Sequence, residues 1–175
     1  GLNMVFSKGF HPMPRISFST ALPVGTESIH ETMIIELYGD VSPEGLRKAI
    51  NLQLPEDVRV NLAEDVTRGV KKEVLLESHY QVKLVGINAD IRRLEKFKES
   101  KVFPVLKKTK EGEKEVDAKP LVKSIGFSGP DTINLVINHV GGPELKPVYI
   151  IKGIFGLAED LIPFIKVLKI KQVMG

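Results

Sequence analysis

The sequence predicts an α+β fold, because stretches with the period-two alternation of strands and stretches with helical periodicity both occur in the chain. The clearest strand is 79–85 (HYQVKLV), where apolar and polar residues alternate. The clearest helix start is Ser42-Pro43-Glu44, which combines a capping hydroxyl, a proline suited to the first helical position and an acid at the positive end of the dipole. With 175 residues, the chain forms one large domain or two small ones.

The first half of the chain predicts strand, strand, helix, strand. Residues 15–20 alternate between apolar and polar side chains, and residues 31–38 are apolar enough for a central strand. The helix that begins at Ser42 ends before Pro55, because proline cannot continue it. Residues 58–66 (VRVNLAEDV) again have period two and predict a third strand.

The second half predicts strand, helix, further strands, helix and a final strand. In chain order, the predicted elements are a strand at 79–85, a helix at 88–100 capped by Asn88, a hairpin of 103–108 with 113–118, a helical turn at 120–124, strands at 125–127 and 132–139, a helix at 146–155 closed by Gly156, a short irregular or helical link at 157–165 and a strand at 167–173. That order is the split βαβ sandwich of ferredoxin-like type, with an added hairpin.

The first half fits the same order if its opening strand and helix are absent. We therefore predict an α+β chain of two tandem ferredoxin-like units, 1–73 and 74–175, of which the first lacks its opening strand and helix. The charged stretch 67–73 is predicted to join the two units. We expect the missing strand and helix to precede Gly1.

The composition argues against several function classes. The chain has no cysteine, which rules out disulfides, thiol catalysis and an iron–sulfur cluster held by its own thiolates. Its histidines (His11, His30, His79 and His139) lack the spacing of metal ligands, so we expect no metal site. The sequence has no run of about eighteen apolar residues, and we expect a cytoplasmic protein without a membrane partner.

The positive charge of the chain is unevenly distributed. The net charge is +3, and residues 101–123 hold seven lysines against four acids. Such a patch attracts phosphates, although a solvated hairpin surface produces the same pattern. Aromatic residues make up only 6% of the chain, so the sequence indicates no obvious platform for stacking bases.

Segment 6–28 (FSKGFHPMPRISFSTALPVGTES) is too irregular in composition for ordinary core. Its prolines fix φ and its glycines permit positive φ, which predicts a shaped loop, strand and loop that present His11 and Arg15. Arginine offers a planar fork of donors suited to phosphate or carboxylate. We therefore predict a polar concavity that binds RNA, another anion or a partner. Its residues are Lys8, His11, Arg15, Ser17, Ser19 and Glu27, with Lys119 and Lys123 as an extension.

Two other interpretations of this segment stay open. In the first, Glu27 pairs with Arg15 inside the protein, and the polar set is a structural ion pair. In the second, the segment is a hairpin whose polar side chains satisfy its own backbone.

Three blocks of the sequence also resemble one known family. The run FSKGFHPMPRISFSTALPVGTES is similar to the signature of the radical-SAM-linked domain family of unknown function. The blocks EVDAKPLVKSI (115–125) and KPVYIIKGIFGL (146–157) are similar to two later segments of the same family, in the same order. The resemblance covers nearly the whole chain.

The resemblance implies a bacterial domain that lies beside, or is fused to the C-terminus of, a radical S-adenosylmethionine protein. S-adenosylmethionine and an iron–sulfur cluster are then expected only in that linked enzyme, and this chain is expected to hold no cofactor. Members usually begin with a further strand and helix, which agrees with the elements missing from the first unit. Members also lie near genes for RNA processing and ribosomal proteins, which suggests RNA or ribosomal components as partners.

The favoured functional hypothesis is a non-catalytic accessory domain that holds an RNA or ribonucleoprotein substrate for the radical enzyme. The alternative is a protein–protein docking module for that enzyme. A continuous basic groove would favour RNA, whereas an exposed apolar patch on the first unit would favour docking. An RNA-modifying enzyme of pseudouridine-synthase-like architecture is less well supported, because the Arg-x-Asp-x-Gly-Val-His loop of those enzymes does not occur in the sequence.

Overall fold

The computed structural model of the protein describes residues 2–66, 74–110, 112–141 and 143–175. The strands within these residues are β1 (Ile16–Phe18), β2 (Thr26–Ser28), β3 (Met33–Ile35), β4 (Leu75–Leu84), β5 (Pro104–Thr109), β6 (Gly112–Asp117), β7 (Val122–Phe127), β8 (Thr132–Asn138) and β9 (Ile165–Met174). The helices are α1 (Pro43–Asn51), α2 (Ile91–Glu99), α3 (Pro147–Phe155) and a 3-10 helix at Glu159–Phe164. The predicted α+β class is confirmed.

The chain divides into two compact units. Unit 1 consists of Gly1–Ser19 and Thr32–Glu73, and unit 2 consists of Thr20–Glu31 and Val74–Gly175. The predicted division, 1–73 and 74–175, did not anticipate that Thr20–Glu31 groups with unit 2. The reason is that β2 pairs in parallel with β9, a strand near the other end of the chain. The charged stretch 67–73 lies outside the described residues.

The sheet of unit 2 has five strands in the order β2-β9-β4-β8-β7. All neighbouring strands are antiparallel except β2 and β9. Along the chain, β4, α2, β7, β8, α3 and β9 follow the order strand, helix, strand, strand, helix, strand. The hairpin of β5 and β6 is inserted between α2 and β7, as predicted.

The helix ends follow local side-chain chemistry. The Ser42 hydroxyl accepts a hydrogen bond from the Gly45 backbone N–H at 3.2 Å, which confirms the predicted start of α1. The cap of α2 is Asp90, which accepts from the Arg92 backbone N–H, so the prediction of Asn88 is wrong by two residues. Helix α3 ends at Gly156 with φ 61°, a left-handed conformation that favours glycine, as predicted.

Two other sequence predictions fail. No strand forms at 58–66, where the Asn51 side chain instead accepts from the Val60 N–H at 2.8 Å and donates to the Val60 carbonyl at 2.9 Å. Alternation alone does not make a strand when no neighbouring strand pairs with it. The helical turn predicted at 120–124 is a turn at 119–121 followed directly by β7.

The hydrophobic core of the described residues lies in unit 2. Inward-facing residues of β4 and β8 pack with apolar residues of α2 and α3. Alternation along β8 buries Ile133, Leu135 and Ile137, which is the period-two pattern read from the sequence. Phe97 of α2 meets Phe103 edge-on at 5.0 Å between ring centroids.

Unit 1 is built differently. Its β1 and β3 form a two-stranded antiparallel pair in which Ser17 lies opposite Ile34. Two isolated antiparallel bridges, Met4–Leu37 and Phe6–Pro14, add further backbone pairing within unit 1. No described residue of unit 1 reaches the burial of the unit 2 core, and α1 contributes no buried residue.

Candidate functional site

The predicted signature residues are divided between the two units. Lys8, His11, Arg15 and Ser17 are exposed in unit 1, and Ser19 is half-buried there. Glu27 lies on β2, within unit 2. The six residues therefore do not form a concavity inside one unit.

Arg15 has an ionic partner within unit 1. Its Nη1 donates to Oε2 of Glu36 at 3.0 Å, and both side chains are about half exposed. The alternative in which Glu27 pairs with Arg15 is wrong, because the carboxylate that pairs with it is Glu36. An exposed pair of this kind contributes at most about 1 kcal/mol, so a phosphate can compete for the guanidinium.

The loop before Arg15 satisfies part of its own backbone. The Ser7 hydroxyl accepts from the Met13 N–H at 3.0 Å, and the Ser7 N–H donates to the Met13 carbonyl at 2.8 Å. Gly9, with φ 142°, lies in the region that favours glycine. The closed loop leaves the ring of Phe10 fully exposed, so an apolar side chain is presented together with His11.

The predicted extension residues both have partners within unit 2. Lys119 Nζ donates to the carbonyls of Phe97 at 3.1 Å and Lys98 at 3.0 Å, which satisfies the free C-terminal end of α2. The same ammonium lies 4.8 Å from the centroid of the Phe97 ring. Lys123 pairs with Glu77, and its hydrogen bond lowers the pKa of that carboxyl. Both lysines therefore have partners within the protein, and Lys119 is the one that satisfies backbone carbonyls.

The hairpin of β5 and β6 sorts most of its charges by face, although Lys108 lies opposite Glu113 on the face of the acids. Lys107 lies directly opposite Lys114, on the face that also carries Val105 and Val116. The acids Glu113, Glu115 and Asp117 lie on the other face. We call Lys107, Lys114 and Lys110 at the turn the lysine face. These three side chains line a cleft of about 360 Å³.

Unit 2 also contains a polar cavity of about 240 Å³. It lies where β4, β8 and β9 meet the segment that begins at Thr20 and the loop after β8. Its lining residues are Thr20, Ala21, Pro23, Leu75, Ser78, Tyr80, Ile137, Asn138, His139, Pro143, Glu144, Leu145 and Lys169. None of the site residues predicted from the sequence lines this cavity.

A buried ammonium group forms one wall of the polar cavity. The side chain of Lys169 is only 2% exposed, and its Nζ lies 2.9 Å from Oε1 of Glu31. It also donates to Oγ1 of Thr20 at 3.0 Å. Ser28 donates its hydroxyl proton to the same Glu31 oxygen at 2.6 Å. The positive charge of Lys169 is therefore neutralised inside the protein.

A second wall consists of hydroxyl and imidazole groups. Oγ of Ser78 lies 3.0 Å from Nε2 of His139, and Tyr80 lines the same cavity. Burial lowers the pKa of His139, which keeps the imidazole neutral at pH 7. Burial raises the pKa of Tyr80, so its hydroxyl stays protonated and can donate.

A β-bulge positions these groups. The pairing of β4 with β9 shifts by one residue between His79 and Tyr80, so Tyr80 lies opposite Lys169 while Ser78 lies opposite Gln172. The extra residue lets Lys169 and Gln172 both be buried although they are three residues apart. The sequence signal was polar residues at the inward positions of a core strand, as with Ser78, which shares its face with Val82 and Leu84.

The described residues contain neither a metal-binding cluster nor a helix that could span a membrane. Within the described residues, no group of three or more histidines, aspartates or glutamates is arranged to hold a metal ion. No helix in the described part of the chain combines the length and the apolar character needed to cross a membrane.

Comparisons with known proteins place the chain in a family. Searches of curated proteins and of solved structures give no match. A family model described as "Uncharacterized protein conserved in bacteria (DUF2344)" matches residues 1–147, which include the signature segment, the hairpin and the loop at the rim of the polar cavity. The chain belongs to this bacterial family of uncharacterized proteins.

Proposed function

We propose that the chain is a non-catalytic accessory domain of a radical S-adenosylmethionine protein and that it binds RNA, free or in a ribonucleoprotein. The observation that carries the RNA part is the lysine face, where Lys107, Lys110 and Lys114 line one cleft and the three acids of β6 lie on the opposite face. The link to a radical enzyme rests on the resemblance of the signature segment. S-adenosylmethionine and the iron–sulfur cluster would be bound by that enzyme.

The lysine face is electrostatically suited to phosphates. Like charges directly opposite each other on a hairpin destabilise it, and Lys107 lies opposite Lys114. No carboxylate of the described residues pairs with Lys110 or Lys114. A phosphate between these ammonium groups would remove the repulsion and release counterions.

The finer fold assignment belongs to the same proposal. The element order of unit 2 and its strand order β9-β4-β8-β7 support a ferredoxin-like unit with an inserted hairpin and an added edge strand β2. A second such unit would be completed in unit 1 by a further strand and helix.

We also propose that the protein acts in the cytoplasm.

The RNA proposal is tested by removing the lysine face. In the variant Lys107→Ala/Lys110→Ala/Lys114→Ala, we expect single-stranded RNA to bind at least about tenfold more weakly at low salt. The slope of log Kd against log salt should become shallower by about 2, since each single-strand phosphate contact contributes about 0.7.

The matched control is Lys96→Ala/Lys98→Ala/Lys101→Ala, which removes the same charge from exposed positions outside the hairpin. Its affinity and salt slope should stay close to those of the wild type. Equal losses in the two variants would mean that only net charge matters, and unchanged binding in both would overturn the RNA site.

A second candidate function, docking onto the radical enzyme, is favoured by the apolar surface of unit 1. Phe10, Phe18, Leu52 and Leu62 are all largely exposed in that unit. Exposed apolar side chains at this density are typical of protein-binding surfaces. The variant Phe10→Ser/Phe18→Ser should weaken the complex with the radical enzyme in a calorimetric titration.

The control for docking is Val102→Ser/Leu106→Ser, which removes exposed apolar side chains of unit 2. Equal affinity of both variants for the radical enzyme would contradict the docking site. The third reading, a pseudouridine-synthase-like enzyme, stays the weakest proposal because the sequence lacks the catalytic loop of that class.

A further inference from the structure

We infer that the polar cavity of unit 2 takes one unpaired nucleobase of the RNA that the lysine face holds. The inference rests on the proposed RNA-binding function and identifies the part of the RNA that the cavity binds.

The cavity adjoins the lysine face. Pro143 lines both the polar cavity and the lysine cleft. Lys107 Nζ donates to the carbonyl of Glu144 at 2.6 Å, so the hairpin is fastened to the loop that forms the cavity rim. An RNA strand whose phosphates contact the lysine face can therefore bring one of its bases to the neighbouring cavity.

The charges of the lining exclude an anion as the preferred occupant. Lys169 is already neutralised by Glu31 at 2.9 Å. Glu144 is one of the lining residues, and Lys169 is the only Lys or Arg among the described residues that line the cavity. A phosphate or carboxylate inside would meet Glu144 with no free cation for compensation.

The remaining groups suit a neutral heteroaromatic ring. Leu75, Ile137 and Leu145 provide apolar walls for the faces of a ring. The hydroxyls of Ser78 and Tyr80 provide hydrogen-bonding groups for its edge. Ser78 already interacts with His139 at 3.0 Å, and the hydrogen-bonding capacity that this contact leaves over can serve the donors and acceptors on the edge of a nucleobase.

His139 adds to this edge recognition. A neutral imidazole carries one donor and one acceptor nitrogen, and the pKa of His139 is lowered by burial. The groups that face it with charge are Glu144, which favours the protonated form, and Lys169, which disfavours it. Nε2 interacts with Ser78 at 3.0 Å, which orients the ring.

The size of the cavity limits the occupant to a single base. Pockets for drug-sized ligands span about 300–1,000 Å³, and the volume here is about 240 Å³. A base fits this space, while its ribose and phosphate stay outside on the lysine face. The cavity thus acts as a pocket for a base that is extruded from a strand.

The test uses an abasic ribose-phosphate oligomer and the same oligomer with one central adenine, cytosine, guanine or uracil. For the wild-type chain, at least one of the base-containing oligomers should bind between about fivefold and a hundredfold more tightly than the abasic oligomer. In Ala21→Leu, which fills the cavity mouth, and in His139→Ala, the ratio should fall to less than about twofold. Circular dichroism checks that both variants keep the fold.

The lysine-face triple variant separates the two proposals. It should weaken the abasic and the base-containing oligomers equally, with the base ratio retained. A wild-type ratio near one, or a ratio that persists in both cavity variants, would overturn the nucleobase inference and leave the RNA site standing. Failure of every oligomer to bind would overturn the proposed function and this inference with it.

Free nucleosides form the last arm of the experiment. Nucleoside binding that is lost in His139→Ala, together with no binding of any oligomer, would overturn the inference as stated, because the base in the cavity would then not come from RNA.

Discussion

The two units of the chain differ in how they use their apolar residues. Unit 2 buries the inward positions of β4, β8 and β9 against α2 and α3. Unit 1 also has strands with alternating residues and a helix with a side-chain cap. None of its described residues, however, is buried to that degree. The difference shows that periodicity produces local elements, whereas stability requires neighbouring layers that bury them.

Polar groups follow the same division. In unit 2 the ammonium end of the Lys169–Glu31 pair is buried, and Thr20 and Ser28 support the pair with hydrogen bonds. In unit 1 the Arg15–Glu36 pair is about half exposed. Single substitutions should therefore cost more stability in unit 2 than in unit 1.

The largest expected effect compares two isoleucines on strands. Ile133 of β8 is fully buried, and Ile34 of β3 is 47% exposed. Ile133→Ala should lower the free energy of unfolding by about 2–5 kcal/mol, because it loses apolar burial and leaves a cavity. Ile34→Ala should cost less than about 1 kcal/mol. Urea denaturation followed by circular dichroism measures both free energies of unfolding. Equal losses for the two substitutions would contradict the difference in burial between the units.

The second prediction compares the two ion pairs. Glu31→Gln leaves the Lys169 charge buried without its counter-charge and should cost about 1–3 kcal/mol. Glu36→Gln removes the exposed partner of Arg15 and should cost at most about 0.5 kcal/mol. The same denaturation experiment applies. A larger cost for Glu36→Gln than for Glu31→Gln would contradict the assigned burial.

The third prediction concerns helix caps. Asp90→Ala removes the acceptor for the Arg92 N–H and should lower the global stability of unit 2 by about 1 kcal/mol. Ser42→Ala removes the equivalent acceptor of α1. We expect faster amide exchange limited to α1 in that variant. Loss of protection in β4 or β8 after Ser42→Ala would show that the units unfold together.

The smallest effect is a pH dependence from the polar cavity. Burial lowers the pKa of His139 below its ordinary value of 6.5, so the unfolded chain binds more protons than the folded chain between the two values. Stability should therefore fall as the pH decreases through about 6.5. His139→Gln should reduce this slope in denaturation curves. Identical slopes in the wild type and His139→Gln would contradict the burial of the imidazole.

Local signals in the sequence predicted the parts of the fold that depend on neighbours in the chain. Gly156 marked the end of α3, and alternation marked β8, because caps and strand faces are properties of a few adjacent residues. Strand β2 was missed because its three residues gain their partner, β9, only in the folded chain. The strand predicted at 58–66 failed for the converse reason, since no strand pairs with it.

Prediction of the candidate sites from the sequence was limited in the same way, because local signals do not show which residues meet in the folded chain. Glycines and prolines of the signature segment correctly indicated a shaped loop, and the lysine excess at 101–123 was visible as composition. The sorting of Lys107 and Lys114 onto one face depends on the hairpin register. The polar cavity combines residues of three strands and two loops, so no sequence window contains it.

The most direct test of the account is amide hydrogen exchange of the chain with and without single-stranded RNA at low salt. We predict that RNA slows exchange in β5, β6 and the described residues of the loop after β8, while the amides around Arg15 in unit 1 stay unchanged. Slowed exchange confined to the segment around Arg15, with β5 and β6 unaffected, would contradict the assignment of the RNA site to unit 2.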